Sequence, residues 1–199
     1  MIFKRIKSLA PVILAIAATV SVATSAHAQE APRVKFATTA GDFVVEVYPD
    51  KAPKTVDNFL QYVKEKHYDG TLFHRVIENF MIQGGGFDAK YSQTPTRAPI
   101  PHEGREALAK GGPRNTVGTL AMARTNDPQS ATAQFFINVK DNAFLDPTQQ
   151  QPGYTVFGKV VAGMDVIQKI KVSPTGAAGP FPSDVPKTPI LINSATLVK

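Results

Sequence analysis

The stretch FHRVIENFMIQGG, residues 73–85, contains two short apolar runs separated by a polar turn. The runs predict two neighbouring strands, one over residues 72–77 and the other over residues 80–83. One arginine, Arg75, and one glutamine, Gln83, stand among these apolar, strand-favouring residues. This composition suits a site that holds a neutral substrate beside a fixed cation.

The register of this hairpin decides whether its two polar side chains act together. If residues 77–79 form a three-residue connection, Arg75 pairs opposite Met81, and Gln83 shares their face because strand side chains alternate. A two-residue connection would instead place Arg75 and Gln83 on opposite faces. The sequence alone leaves both registers open.

The rest of the chain predicts one mainly β domain with two helices. Apolar residues recur at helical spacing after Pro53, where a helix can begin, and this helix should end near Lys66. A second helix is predicted over residues 164–170, whereas prolines and glycines over residues 87–115 indicate a long surface excursion. Further strands are predicted over residues 33–39, 43–48, 116–123, 134–139, 154–161 and 189–198. Strands of this length and spacing indicate an antiparallel barrel or sandwich.

The N-terminus has the pattern of a bacterial secretory signal peptide. Three basic residues precede an apolar run over residues 9–22, and Ala26-His27-Ala28 has the small-x-small form of a cleavage site. The apolar run is shorter than the roughly 20 residues that span a bilayer. We therefore expect removal of residues 1–28, leaving residues 29–199 as one domain without a membrane segment. The expected location is the periplasm, with secretion as the alternative.

Composition excludes several functions. The chain has no cysteine, so thiol chemistry, disulfides and cysteine-bound metal are excluded. His67 and His102 belong to no cluster with metal-ligand spacing, so we predict no metal. Removal of residues 1–28 lowers the net charge from +6 to +3, because this segment holds three basic and no acidic residues. Without a basic stripe, this surplus gives no reason to expect nucleic acid as a partner.

Five short motifs follow one another along the chain: FHRVI at 73–77, FMIQGG at 80–85, AMA at 121–123, QFFI at 134–137 and VFGKV at 156–160. In order and approximate spacing they resemble the cyclophilin family of peptidyl-prolyl cis-trans isomerases. The resemblance runs from about Val34 to the C-terminus. It implies a closed eight-stranded antiparallel barrel capped by two α-helices, which agrees with the predicted strands and helices.

The resemblance also implies a site. Arg75 corresponds to the catalytic residue, and the substrate groove corresponds to Phe80, Met81, Gln83, Ala123, Gln134, Phe136, Phe144, Leu145 and Tyr154. Rotation about an X-Pro bond crosses a barrier of ~20 kcal/mol because it breaks amide resonance. A fixed cation aimed at the nitrogen of the twisted amide favours rotation, and arginine cannot lose its proton. Such a reaction needs no metal, nucleotide or other cofactor.

Two positions depart from the best-known eukaryotic cyclophilins. Phe144 stands where those proteins carry a tryptophan that is important for cyclosporin binding, and Tyr154 stands where they carry a histidine. Both departures resemble the bacterial periplasmic branch. A phenyl ring keeps apolar contact but lacks the indole N–H donor, so we expect weak cyclosporin binding.

The expected partners are proline-containing polypeptides, and nothing in the sequence suggests an obligate subunit, so we expect a monomer. Two other functions remain open at this point. The groove could bind proline-containing peptides without turnover, although binding alone would need neither Arg75 nor Gln83. A ligand-carrying β-barrel is the second alternative, which the aromatic-rich strands disfavour.

Overall fold

A computed structural model describes residues 1–2 and 30–198 of the chain. Apart from its first two residues, the predicted signal segment 1–28 lies outside the described residues. Within the described residues, no helix has both the length and the apolar character needed to cross a membrane.

Ten strands occur in the described chain. They are β1 Arg33–Thr38, β2 Gly41–Val47, β3 Thr71–Ile77, β4 Met81–Asp88, β5 Thr119–Met122, β6 Phe135–Asn138, β7 Val156–Ala162, β8 Thr175–Ala178, β9 Phe181–Pro186 and β10 Ile192–Leu197. Eight of them form one antiparallel sheet in the order β10-β1-β2-β7-β5-β6-β4-β3, and β8 pairs with β9. The sheet curls until β3 meets β10, where Gly70 N donates to Ile192 O at 2.7 Å and Phe73 N donates to Ile190 O at 3.0 Å. The predicted eight-stranded antiparallel barrel is confirmed.

Two principal helices cover the barrel, as predicted. They are α1, Pro53–Lys64, and α3, Met164–Lys171, while the short α2, Gly104–Ala109, lies between them in sequence. The backbone N–H groups of Lys54 and Thr55 at the start of α1 donate to the buried carboxylate of Glu103 at 3.1 and 2.7 Å. Free N–H groups at a helix start need such acceptors. The long excursion contains a short helix that was not predicted, and Glu103, the residue just before this helix, caps α1.

Aromatic rings fill the interior of the barrel. Phe36 stacks on Phe43 with centroids 5.0 Å apart, and Phe59 of α1 lies 6.3 Å from Phe36 and 5.1 Å from Phe157. Tyr68 is fully buried among them and donates its hydroxyl to Ala133 O at 2.9 Å. A filled interior argues against the ligand-carrying barrel.

The β3–β4 hairpin resolves the question of register. Arg75 lies directly opposite Gln83, and Ile77 lies opposite Met81, so the connection consists of residues 78–80. Arg75, Met81 and Gln83 therefore share a face, as a three-residue connection requires. The connection consists of residues 78–80 and not 77–79, and Arg75 pairs with Gln83 and not with Met81, because Phe80 belongs to the turn and not to the strand.

Phe80 leaves the strand because other groups hold it. Its N–H donates to Ile77 O at 3.0 Å, which closes the turn, and its carbonyl accepts from Val139 N at 3.1 Å and Asn142 Nδ2 at 2.9 Å. Its ring stacks on Phe144 at 5.7 Å. These tertiary contacts outweigh the strand preference of a phenylalanine.

The β8–β9 hairpin was also not predicted, because it lies in a proline- and glycine-rich segment. It packs against β3, where the ring of Phe181 stacks on buried His74 at 5.3 Å and meets Phe87 edge-on at 4.9 Å. Among the described residues, His74 Nδ1 has no hydrogen-bond partner. Burial above all, and to a smaller extent the positive charge of the neighbouring Arg75, lowers the pKa of His74 to about 4.

We predict that His74 makes the fold sensitive to acid. Between pH 6.5, the ordinary pKa of histidine, and about 4, the unfolded chain binds a proton that folded His74 does not. Stability should therefore fall as the pH is lowered through this window, by at most about 3 kcal/mol from this residue. Urea unfolding of the wild type and His74→Phe over this range measures the effect. The wild-type free energy of unfolding should fall more steeply; equal slopes would contradict the prediction.

Candidate active site

A second, smaller apolar cluster lies outside the barrel core. The strands that form it alternate, so that Ile82 and Phe135 belong to the interior whereas Met81 and Phe136 belong to the outer cluster. Leu145 completes this cluster from the turn after β6, together with the buried Ala121 and Val156. Because side chains alternate along a strand, these strands have two apolar faces. One face belongs to the barrel core, and the other lies outside it, where a ligand can bind.

A small cavity of about 110 Å³ lies over this outer cluster. Its lining combines apolar side chains with three polar or charged ones, and comprises Arg75, Phe80, Met81, Gln83, Ala123, Arg124, Phe136, Leu145 and Tyr154. The structure therefore brings together eight of the ten residues predicted for the site and adds Arg124. Apolar side chains joined by a few convergent polar groups are the residue types that small-ligand sites use.

Arg75 and Gln83 form the polar side of the cavity. They face each other across neighbouring strands β3 and β4, and the side chain of Arg75 is 44% exposed. Gln83 Nε2 donates to Gln134 Oε1 at 2.9 Å, which fixes the orientation of the amide. A guanidinium and an amide are thus held side by side at the mouth of an apolar cavity.

Gln134 lies in an adjoining depression of about 380 Å³ that shares Gln83, Ala123 and Arg124 with the first. Its side chain crosses so closely over Gly86 that a Cβ added there would lie 2.4 Å from Gln134 Cγ. Gly86, the last glycine of the run within β4, therefore has a local reason, which is close approach of a side chain that belongs to the site. The two depressions together form a groove that continues past the apolar cavity.

Arg124 is the site residue that sequence reasoning missed. Its Nε and Nη2 donate to Gly153 O at 3.1 and 2.9 Å, its Nη1 donates to Thr125 O at 2.8 Å, and its guanidinium lies 4.5 Å from the ring centroid of Tyr154. These contacts hold Tyr154 at the rim by a cation–π interaction. The only sequence signal was an arginine directly after Ala123, since the partner carbonyl comes from a distant loop.

Phe144 is placed at the margin of the site. It is 64% exposed and stacks on Phe80, but it does not line the cavity, whereas its neighbour Leu145 is buried in the cavity wall. An exposed ring beside a groove can contact a ligand that extends beyond the cavity. Phe144 therefore lies beside the cavity and not within it.

Buried amides support the wall that carries Phe80 and Leu145. Asn142 Nδ2 donates to Phe80 O at 2.9 Å and to Asn138 Oδ1 at 2.8 Å, and Asn138 Nδ2 donates to Thr119 Oγ1 at 3.0 Å. Buried polar groups are expensive to leave unpaired, so a satisfied network of this kind keeps a single geometry. The wall is therefore rigid, as a site that must position its ligand requires.

The arrangement can bind a neutral, partly apolar ligand and present a permanent cation to it. Among residues 30–198, no three His, Asp or Glu side chains lie close enough together to hold a metal ion. Arg75 and Arg124 are the cations of the cavity lining. Hydrogen-bond donors held in place act more strongly once a bound ligand displaces water from around them than they do in bulk water.

Similarity to known proteins extends over nearly all of the described chain. The model of the cyclophilin type peptidyl-prolyl cis-trans isomerase/CLD family matches residues 33–197. The peptidyl-prolyl cis-trans isomerase cyp18 of Streptomyces antibioticus is 54% identical over 168 residues, which cover 83% of this chain and 98% of the relative. Peptidyl-prolyl cis-trans isomerase B of Escherichia coli strain K12 is 53% identical over 167 residues, covering 82% and 98%.

The fold is shared with a solved structure. A cyclophilin type peptidyl-prolyl cis-trans isomerase of Cryptosporidium parvum superposes with a TM-score of 0.67, covering 85% of this chain and 98% of that one. A second crystal structure of that protein, in the presence of the dipeptide Ala-Pro, gives a TM-score of 0.66 over 84% and 99% of the two chains. Identity is 23% in both cases, so the likeness concerns the fold.

Proposed function

The chain belongs to the cyclophilin-type peptidyl-prolyl cis-trans isomerase family and is an isomerase of this kind, and from that premise we propose that Arg75 is its catalytic residue. The observation that carries the proposal is the direct pairing of Arg75 with Gln83 at the mouth of the apolar cavity. One side chain supplies a permanent charge, and the other supplies a fixed amide. Together they distinguish a catalytic groove from a purely apolar binding site.

The proposed mechanism is non-covalent. Rotation about an X-Pro bond breaks amide resonance, so the nitrogen becomes pyramidal and regains a lone pair. The guanidinium of Arg75 donates to that nitrogen and stabilises the twisted amide more than the planar one, which lowers the barrier. No bond to the protein forms, and the step uses no metal, nucleotide or other cofactor.

The remaining site residues bind and orient the substrate. Met81, Phe136, Leu145 and the edge formed by Phe80 hold the pyrrolidine ring, which has no N–H to satisfy. Gln83 contacts the backbone of the substrate. Ala123 leaves room for the substrate chain, Gln134 lines its continuation, and Phe144 and Tyr154 flank it at the rim.

The proposed substrates are extended or unfolded polypeptides that contain proline and that the cell exports. The open groove suits an extended chain better than a folded surface. The crystal structure of the Cryptosporidium parvum protein in the presence of Ala-Pro is compatible with a substrate that is recognised through a short X-Pro unit. We infer that the protein acts as a monomer of the bacterial periplasmic branch and assists folding there, with secretion as the alternative location. The pattern in residues 1–28 supports export.

Removal of the Arg75 guanidinium tests the proposed mechanism. Arg75→Ala should lower kcat/KM in a protease-coupled assay on an Ala-Pro peptide by on the order of 100-fold, because a preorganised donor to the transition state is lost. Arg33→Ala is the matched control, since Arg33 pairs with Glu46 at 2.8 Å on β1, outside the groove. It should retain wild-type activity. Equal activity of Arg75→Ala and the wild type would exclude Arg75 as the catalytic residue.

Cyclosporin should inhibit the protein weakly. Phe144 is exposed at the rim and offers no N–H donor where the eukaryotic relatives carry a tryptophan. Phe144→Trp should tighten inhibition by about fivefold, the effect of one added hydrogen bond. Inhibition constants for both proteins measure this. Nanomolar inhibition of the wild type, or no gain in the variant, would contradict the prediction.

Export is tested by the mass of the protein recovered from cells. The full chain, produced in a bacterium with two membranes, should appear in the periplasmic fraction with Gln29 as its first residue. Ala28→Phe should block cleavage, because the cleavage site requires a small residue at this position. Recovery of the uncleaved wild-type chain from the cytoplasm would exclude export by this segment.

A further inference from the structure

The acidic side chain nearest to the proposed catalytic arginine comes from outside the barrel. Asp184 of β9 places Oδ2 3.9 Å from Nε of Arg75, and the two side chains are 37% and 44% exposed. This distance exceeds that of a hydrogen bond, so the contact is an ion pair partly screened by water. Arg75, which lines the groove, therefore has Asp184 as an ionic partner from outside the barrel.

The fold holds Asp184 in an unusual backbone conformation. Its φ is +65°, in the left-handed region that most residues avoid and that aspartate tolerates better than others. The next residue, Val185, is buried and pairs with Gly176 of β8. Near the start of the same strand, Phe181 is anchored on His74 and Phe87. The β8–β9 hairpin is thus pinned on both sides of Asp184, which directs the carboxylate toward Arg75.

We propose that Asp184 is a positioning residue for catalysis, an inference that rests on the proposed role of Arg75. The carboxylate attracts the guanidinium through Nε, the nitrogen next to the aliphatic stem. Restraint at this point limits the positions open to a long, half-exposed side chain while the terminal nitrogens remain available to a substrate. When a polypeptide covers the groove and displaces water, the attraction between the two charges strengthens. The hairpin that carries Asp184 is consequently part of the catalytic apparatus.

Two substitutions separate this role from a structural one. Asp184→Asn keeps the size of the side chain and removes its charge, whereas Asp184→Gly removes the side chain and suits a φ of +65° better than aspartate does. Both should lower kcat by about two- to fivefold, the range expected for loss of an exposed ion pair, with little change in KM. The thermal midpoint of Asp184→Gly should equal or exceed that of the wild type. A structural role predicts the opposite pattern, namely lower stability with unchanged kcat.

A spectroscopic measurement reports on Arg75 itself. In the wild type, the ¹⁵N order parameter of the Arg75 Nε–H group should be higher than in Asp184→Gly, because the carboxylate restrains that group. Asp42→Asn is the matched control, since Asp42 is an exposed carboxylate paired with Lys35 at 2.7 Å on β2, apart from the cavity lining. It should leave kcat and the Arg75 order parameter unchanged.

The double variant distinguishes failure of this inference from failure of the proposed mechanism. Asp184→Gly should cause no further loss in the Arg75→Ala background, because the carboxylate acts through the guanidinium. A further two- to fivefold loss in that background, wild-type kcat in Asp184→Gly, or a rise in kcat would each overturn the positioning role. Wild-type activity of Arg75→Ala alone would instead overturn the mechanism on which the inference rests.

Discussion

The alternation of side chains along β4, β5 and β6 is the constraint on which the rest of the structure depends. Gln83 of β4 lies opposite Phe136 of β6, and Phe136 lies opposite Ala121 of β5. These three residues lie on the outer face, while Ile82 and Phe135 are buried in the barrel core. A slip of one residue in either pairing would exchange the two faces. Register therefore determines both the stability of the barrel and the existence of the groove.

The groove also depends on elements that are not part of the sheet. The turn at Phe80 is fixed by Asn142, which belongs to a buried amide network, and this network gives the cavity a rigid wall. On the opposite side, the β8–β9 hairpin brings Asp184 to Arg75. The barrel thus supplies a rigid framework for the groove. The turn at Phe80 and the β8–β9 hairpin add side chains that contact the residues of the groove. The proposed non-covalent catalysis benefits from such rigidity, because donors already in place need no reorganisation during the rotation.

Much of this arrangement could be predicted from residue types and spacing. An arginine and a glutamine among apolar residues indicated the two polar side chains that meet at the cavity, and the alternation of strand side chains accounts for Phe135 in the core and Phe136 in the outer cluster. What could not be predicted depends on partners distant in sequence. Arg124 is held by the carbonyl of Gly153, and Phe181 anchors its hairpin on His74. The periodicity of a short stretch of sequence contains no information about such contacts. Arg124 and the β8–β9 hairpin were therefore not predicted for the same physical reason.

The central claim is that the charge of Arg75, and not the apolar cavity alone, accelerates rotation of the X-Pro bond. Its most direct test is the exchange rate between cis and trans forms of a bound Ala-Pro peptide, measured by NMR at saturating protein for the wild type and Arg75→Gln. The substitution keeps a polar side chain and removes the charge. We predict that Kd changes little while the exchange rate falls at least about tenfold, as expected for loss of a donor to the transition state. An unchanged exchange rate on the bound peptide would contradict the account.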